Sequence, residues 1–268
     1  MNQTKIGVFD SGVGGLTVLR ELLRQVPCAD YLYFGDTARL PYGSKSVETV
    51  ERYAVSAAQF LEERGLDMLV IACNTATALA LDAIKASVKV PVIGVVEPGA
   101  ANAEKSSKSK CAVVIGTEAT VKSHAYHRAL TARGLKAREK ACPLLVPLVE
   151  EGWTEHAVTE QVARIYLGEI FAEETIRGDH SDVLVLGCTH YPLLKPMLKR
   201  IVPEEVKIID SAQSVAAEVG EKLCVGNDPV GSPDVKAFVT DSVEKFQRLG
   251  TYFLRRVLED VEHVDMGG

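Results

Sequence analysis

Short apolar runs rich in valine and isoleucine recur along the chain: Ile6 to Phe9, Tyr31 to Phe34, Met68 to Ala72, Val92 to Val96, Ala112 to Ile115, Val183 to Leu186 and Val206 to Ile209. Runs this short, apolar at nearly every position rather than at alternate ones, predict strands buried on both faces of a parallel sheet. Segments of helical period lie between them. The clearest places Val47, Val50, Ala54, Ala57, Ala58 and Leu61 on one side, with Gly65 set to end the helix, and Leu16 to Gln25 reads as another. Strand and helix patterns alternate throughout. This predicts the α/β class, with doubly wound parallel-sheet units rather than a helical bundle or a sandwich. At 268 residues the chain can form two such units of about 130 residues, each with its own core.

Two strand patterns share one frame, Asp67-Met-Leu-Val-Ile-Ala-Cys73-Asn-Thr75 and Asp182-Val-Leu-Val-Leu-Gly-Cys188-Thr-His190. An acid opens four apolar residues, followed by a small residue, a thiol and two polar residues. Ile93 and Ile208, in the next strand patterns, each lie twenty residues past their cysteine. The repeat predicts an internal duplication. Two pseudo-symmetric domains would bring their strand ends face to face, with a ligand in the cleft and both cysteines lining it. Paired thiols suit chemistry in which a proton leaves one face of a carbon while another arrives on the opposite face.

Composition narrows the class further. A formal net charge of -6 and an acidic isoelectric point near 5.6 argue against nucleic acid as a partner. The densest basic stretch, Lys105 to Lys110, reads as a solvated loop and marks a candidate crossing between domains. No apolar run approaches the ~18 residues that span a bilayer, and no signal-peptide pattern opens the chain, so a cytoplasmic protein with no membrane partner is expected. The six cysteines, Cys28, Cys73, Cys111, Cys142, Cys188 and Cys224, are scattered without a CxxC pair. That argues against a disulfide framework and against a metal site, and most should be buried packing residues.

Several short motifs carry candidate chemistry, each with a plainer alternative. Asp10-Ser-Gly-Val-Gly-Gly15 follows the first strand and leads into a helix, a place that favours anions. Its spacing matches neither a dinucleotide fingerprint nor a P-loop, so a carboxylate ligand fits better than a nucleotide, although Asp10 or Ser11 could simply cap the helix. The loop Gly35 to Gly43 contains Pro41, Tyr42 and Gly43; it could close over a small ligand through Tyr42 and backbone amides, or be an ordinary turn. Asn74, Thr75, Thr117, Thr120 and Thr189 cluster small donors at strand ends, where helix caps are the alternative. His190, two residues from Cys188, could assist proton movement at that sulfur. His124 and His127 fall on a predicted helix, as surface or core residues. Glu150 and Glu151 follow the apolar Pro143 to Val149 and read alone as exposed acids starting the next helix.

Together, Asp10-Ser-Gly-Val-Gly-Gly, Pro41-Tyr-Gly, Cys73-Asn-Thr, Gly116-Thr-Glu-Ala-Thr, Pro147-Leu-Val-Glu-Glu-Gly and Cys188-Thr-His-Tyr-Pro resemble the glutamate racemases, in that family's order and over most of the chain. The resemblance implies an enzyme that interconverts L- and D-glutamate without a cofactor and supplies D-glutamate for peptidoglycan. It implies a second domain, residues 98–209, inserted into a first made of residues 1–97 and 210–268. By the same resemblance, Cys73 takes the α-proton of D-glutamate and Cys188 that of L-glutamate. Asp10, Glu150 and His190 are their auxiliary acids and bases. Asp10, Ser11, Pro41, Tyr42, Gly43, Asn74, Thr75, Thr117, Thr120, Thr189 and His190 match substrate-contact positions. A homodimer is expected. Some relatives carry an N-terminal extension linked to activation by a cell-wall precursor; only five residues precede the first strand here, so no such activation is expected.

The chemistry is demanding because an α-proton is far less acidic than any side chain. At a reference pKa of ~8.5, forming a thiolate at pH 7 costs only about 2 kcal/mol. The larger demand is stabilising a carbanion-like transition state with oriented donors and excluded water. Rival readings are a sister activity on aspartate or hydantoin, an amino-acid-binding module whose cysteines only pack, and a thiol redox enzyme.

Overall fold

Each of the seven apolar runs forms a strand, and all the strand pairings among the described residues are parallel. The computed structural model describes residues 3–177, 179–223 and 233–267, with the backbone alone at 174–177; Cys224 lies outside the described residues. In chain order the first elements are β1 Thr4–Asp10, α1 Leu16–Gln25, β2 Ala29–Gly35, α2 Val47–Glu62, β3 Met68–Ile71, α3 Asn74–Ser87, β4 Val92–Gly94 and α4 Val96–Ser106. Next come β5 Cys111–Gly116, α5 Glu118–Lys122, α6 Ala125–Thr131, β6 Lys136–Ala141, α7 Leu145–Glu150, α8 Ala157–Arg177, β7 Val183–Gly187, α9 Lys195–Leu198 and β8 Lys207–Asp210. The last are α10 Ser211–Leu223, β9 Val235–Val239, α11 Val243–Leu254 and β10 Val261–His263.

Two sheets result, a six-stranded one in the order β10-β9-β2-β1-β3-β4 and a four-stranded one in the order β6-β5-β7-β8. The repeat seen in the thiol frames is repeated in this topology. The order β2-β1-β3-β4 and the order β6-β5-β7-β8 are the same arrangement, with Ile93 on β4 facing β3 and Ile208 on β8 facing β7, one residue apart in register. Strands β3 and β7, which lead to the two cysteines, lie in the interior of their sheets and are wholly buried. Three strands escaped the pattern: β6, β9 and β10. Among the described residues no helix is long and apolar enough to cross a membrane.

Local chemistry explains the helix bounds. Ser46 caps α2 by accepting from the Thr49 amide at 3.4 Å, and Val50, Ala54, Ala57, Ala58 and Leu61 form the buried stripe, whereas Val47 is left exposed. Gly65 closes that helix with φ +76°, a left-handed turn that a side chain would strain. The run from Val92 is cut short at Gly94, and Val96 already belongs to α4.

The basic stretch after α4 is held by one carboxylate. Asp182, at the start of β7, accepts from Ser107 Oγ at 2.7 Å, Lys108 N at 2.6 Å, Ser109 N at 2.9 Å and Ser109 Oγ at 2.8 Å. Desolvation alone would raise this acid, but the donors outweigh it and hold it down at about 2. A free aspartate titrates near 3.9, so the stabilisation is fully present above about pH 4 and is lost as pH falls towards 2. Asp182→Ala is expected to lower the melting temperature at pH 7 by about 2–6 °C and to flatten the acid loss of stability over that window. Thermal melts across pH check this; superimposable curves for variant and parent would show that the clamp contributes nothing.

Candidate active site

Cys73 lies just past β3 and is itself the N-cap of α3: its sulfur accepts from the Ala76 amide at 3.4 Å, and its thiol donates to Ser11 Oγ at 3.5 Å. Asp10 ends β1 beside it, 1% exposed. One Asp10 oxygen accepts from the Gly12 amide at 2.9 Å and the other, buried, has no partner. Burial pushes the Asp10 carboxyl up, against the opposing pull of the His190 charge. Burial, with the Asp10 charge adding to it, also pushes the Cys73 thiol up to about 12. Forming the thiolate there at pH 7 then costs roughly 7 kcal/mol rather than the 2 of a free cysteine. Cys73 is therefore a thiol at neutral pH.

Cys188, just past β7, has a different setting. Its sulfur lies 3.8 Å from His190 Nδ1, and His190 Nε2 donates to Glu150 Oε1 at 2.9 Å. Burial would push the imidazole down, but hydrogen bonds to Cys188 and Glu150 and attraction to their charges outweigh it and hold the ring up at about 10. Glu150 is correspondingly held below its ordinary range: burial opposes this, and the His190 hydrogen bond and charge prevail. A sulfur, an imidazolium and a carboxylate thus form a relay that is buried at Cys188 and His190 and half-buried at Glu150. Phe253 packs its ring edgewise against His190, with centroids 5.3 Å apart.

The two sheets meet at these ends. A Cβ added to Gly14, in the loop after β1, would come within 2.3 Å of Thr189 Oγ1 and 2.5 Å of His190 Nδ1, so that approach requires glycine. Thr17 Oγ1 lies 2.8 Å from the Thr189 carbonyl, tying α1 to the Cys188 turn. On the other flank Thr75, Thr117 and Thr120 form a triangle of hydroxyls, with oxygens 2.9, 3.2 and 2.9 Å apart, and Gly43 sits against Thr117. Thr117 does cap α5, accepting from the Thr120 amide.

Some expected positions behave differently from their motif. The Tyr42 ring is buried in the core and its hydroxyl donates to Asp36, so its side chain cannot fold over a ligand; Pro41 is exposed. Glu150 ends α7 and bonds His190 instead of opening a helix in solvent, while Glu151 is exposed. His124 pairs with Glu139 at 2.8 Å and stands outside this cluster. Sequence reasoning passed over Asp36 and Thr17. Asp36 is wholly buried and accepts from Tyr42, Arg39 and Thr240, which fixes the loop to Gly43. Its signal was an acid directly after a buried strand.

Comparison with known proteins places this geometry. Residues 6–219 match the family described as Asp/Glu/Hydantoin racemase. The chain is 57% identical to the glutamate racemase of Koribacter versatilis, over 98% of each protein. Glutamate racemase from Thermus thermophilus, solved in complex with β-chloro-D-alanine, superposes with a TM-score of 0.85 at 42% identity, covering 98% of this chain and 97% of that one. The Francisella tularensis glutamate racemase, solved in complex with D-glutamate, gives 0.89 at 32% identity, with 99% of both chains covered.

Removing the anion from the relay should release the imidazolium. Glu150→Gln is expected to lower the His190 titration midpoint by about one unit or more, read from its ring resonances across pH. An unmoved midpoint would show that Glu150 does not hold the charge.

Proposed function

Because the chain belongs to the Asp/Glu/Hydantoin racemase family, we propose that it racemises glutamate by a two-base mechanism at Cys73 and Cys188, without a cofactor. The observation that carries this reading is the pair of thiols at matching strand ends, Cys73 within the field of the Asp10 carboxyl and Cys188 against the His190 ring. Cys188, beside the His190 imidazolium, is the base that takes the α-proton of L-glutamate. Cys73, kept protonated by burial, delivers a proton to the opposite face. In the other direction Cys73 is the base, and Asp10, with a raised carboxyl and an unpartnered oxygen, accommodates the proton that leaves it. His190 and Glu150 relay charge at Cys188.

The substrate carboxylates are read by neutral donors: the hydroxyls of Ser11, Thr75, Thr117, Thr120 and Thr189, the Asn74 amide, and the backbone amides of Tyr42 and Gly43, in the turn that Pro41 opens. The start of α3, where Asn74 and Thr75 lie, adds a favourable field for an anion. Such fixed donors stabilise a carbanion-like transition state more than mobile water does. The reading includes the domain division at residues 1–97 with 210–268 and 98–209, supported by sheet membership. It also includes a cytoplasmic homodimer and a role in supplying D-glutamate for peptidoglycan.

The decisive test is proton NMR of L-glutamate with the purified protein in D2O, with optical rotation followed in parallel. Loss of the α-proton signal with decay of rotation is expected, and L-aspartate should remain inert. Exchange of aspartate alone would move the activity to the sister substrate. Cys73→Ser and Cys188→Ser should each nearly abolish racemisation, and substantial turnover by either would remove the two-base mechanism.

A further inference from the structure

Asn74 follows Cys73 at the start of α3 and is 2% exposed. Its carboxamide oxygen accepts from Tyr126 Oη at 2.7 Å, whereas its equally buried nitrogen has no partner. A buried amide nitrogen with nothing to donate to is costly unless a ligand supplies the acceptor. Tyr126 reaches Asn74 from α6, which packs in the core of the four-stranded sheet, and is itself wholly buried. Burial pushes its phenol up, so it remains a hydrogen-bond donor at any physiological pH; Ser211 hydrogen-bonds it as well.

The ring is fixed by close backbone approach. A Cβ on Gly187 would come within 3.1 Å of Tyr126 Cε2 and 2.9 Å of the Ile115 carbonyl, and one on Gly99 within 3.4 Å of the same ring. Gly187 immediately precedes Cys188. One side chain therefore touches the residue after the first thiol and the residue before the second.

We propose that Tyr126 is a positioning residue: its hydroxyl pins the Asn74 carboxamide oxygen and so presents the amide nitrogen to a carboxylate of the substrate. The inference rests on the glutamate reading of the cleft. With the oxygen engaged, the carboxamide cannot turn its acceptor towards the anion. Tyr126→Phe keeps the ring against Gly187 and removes only the pin.

Calorimetric binding of D- and L-glutamate, together with steady-state kinetics, tests this on Tyr126→Phe, Asn74→Ala and the double variant. Tyr126→Phe should raise both Kd and KM by about tenfold, the loss of one hydrogen bond to a charged group, with kcat changed less than about threefold. In the Asn74→Ala background the same change should add no further loss, because there is nothing left to orient. Losses that multiply, or a fall in kcat at unchanged KM, would overturn the proposal. Should Tyr126→Phe not fold, Asn74→Asp replaces the donor with an acceptor and must weaken glutamate binding; unchanged binding overturns the proposal equally. Binding is independent of turnover. A wild-type protein that binds glutamate without exchanging its α-proton would defeat the racemase reading and leave this inference standing.

Discussion

In a parallel sheet every strand delivers its carboxyl end to the same edge, and the rest of this structure depends on having two such edges opposed. Strands β3 and β7 occupy equivalent interior places and are buried over their whole length. Each strand carries its next residues into the seam between the sheets, and both deliver a thiol there. Glycine at position 14 allows the loop after β1 to approach the Thr189–His190 turn, and the Thr75, Thr117 and Thr120 hydroxyls close the opposite flank. The thiols are thus held by backbone whose geometry the cores enforce, and their chemistry is left to neighbours.

Those neighbours differ. Around Cys73 stand a carboxyl that burial pushes up and a serine hydroxyl; around Cys188 stand an imidazolium and a carboxylate. The matching strand order of the two sheets does not extend to this inequality. His190 stands where Thr75 stands in the matching frame, so the same position carries an imidazole beside one thiol and a hydroxyl beside the other, while Glu150 comes from α7 and Asp10 from β1. The cost of desolvating charge explains the partition: a buried imidazolium persists because two acceptors face it, and a buried thiol with no cation beside it keeps its proton.

How much of this could be read in advance depended on whether a residue's role is local. Buried interior strands are apolar at every position and so announced themselves. Strand β6, Lys136 to Ala141, is an edge strand dominated by charged residues, and β10 is a three-residue edge; neither has two buried faces to leave a pattern. Cys73, Cys188, Asp10 and His190 stood in motifs that combine turn and chemistry. Glu150 was carried only by the resemblance of Pro147-Leu-Val-Glu-Glu-Gly, because its partner lies forty residues away and an acid ending an apolar segment looks like a solvated one. Tyr42 was legible only as part of a turn: its hydroxyl is consumed by Asp36, whose burial only the fold reveals. Tyr126 and Thr17 act across 52 and 172 residues of chain and carry no local mark at all.

The unequal partners of the two sulfurs meet a constraint imposed by the substrate. Enantiomers have the same free energy in an achiral solvent, so the overall equilibrium constant is one whatever the protein does. By the Haldane relation, kcat/KM must then be identical for the two directions, and no arrangement of His190, Glu150 and Asp10 can make the enzyme a one-way device. The inequality can show in the separate values of kcat and KM and, on the proposed two-base reading, as a preferred resting protonation form: one form would accept the L enantiomer, the other the D, and the free protein would have to pass between them to turn over repeatedly in one direction. A scaffold of two matching sheets therefore serves a thermodynamically symmetric reaction from a chemically lopsided ground state.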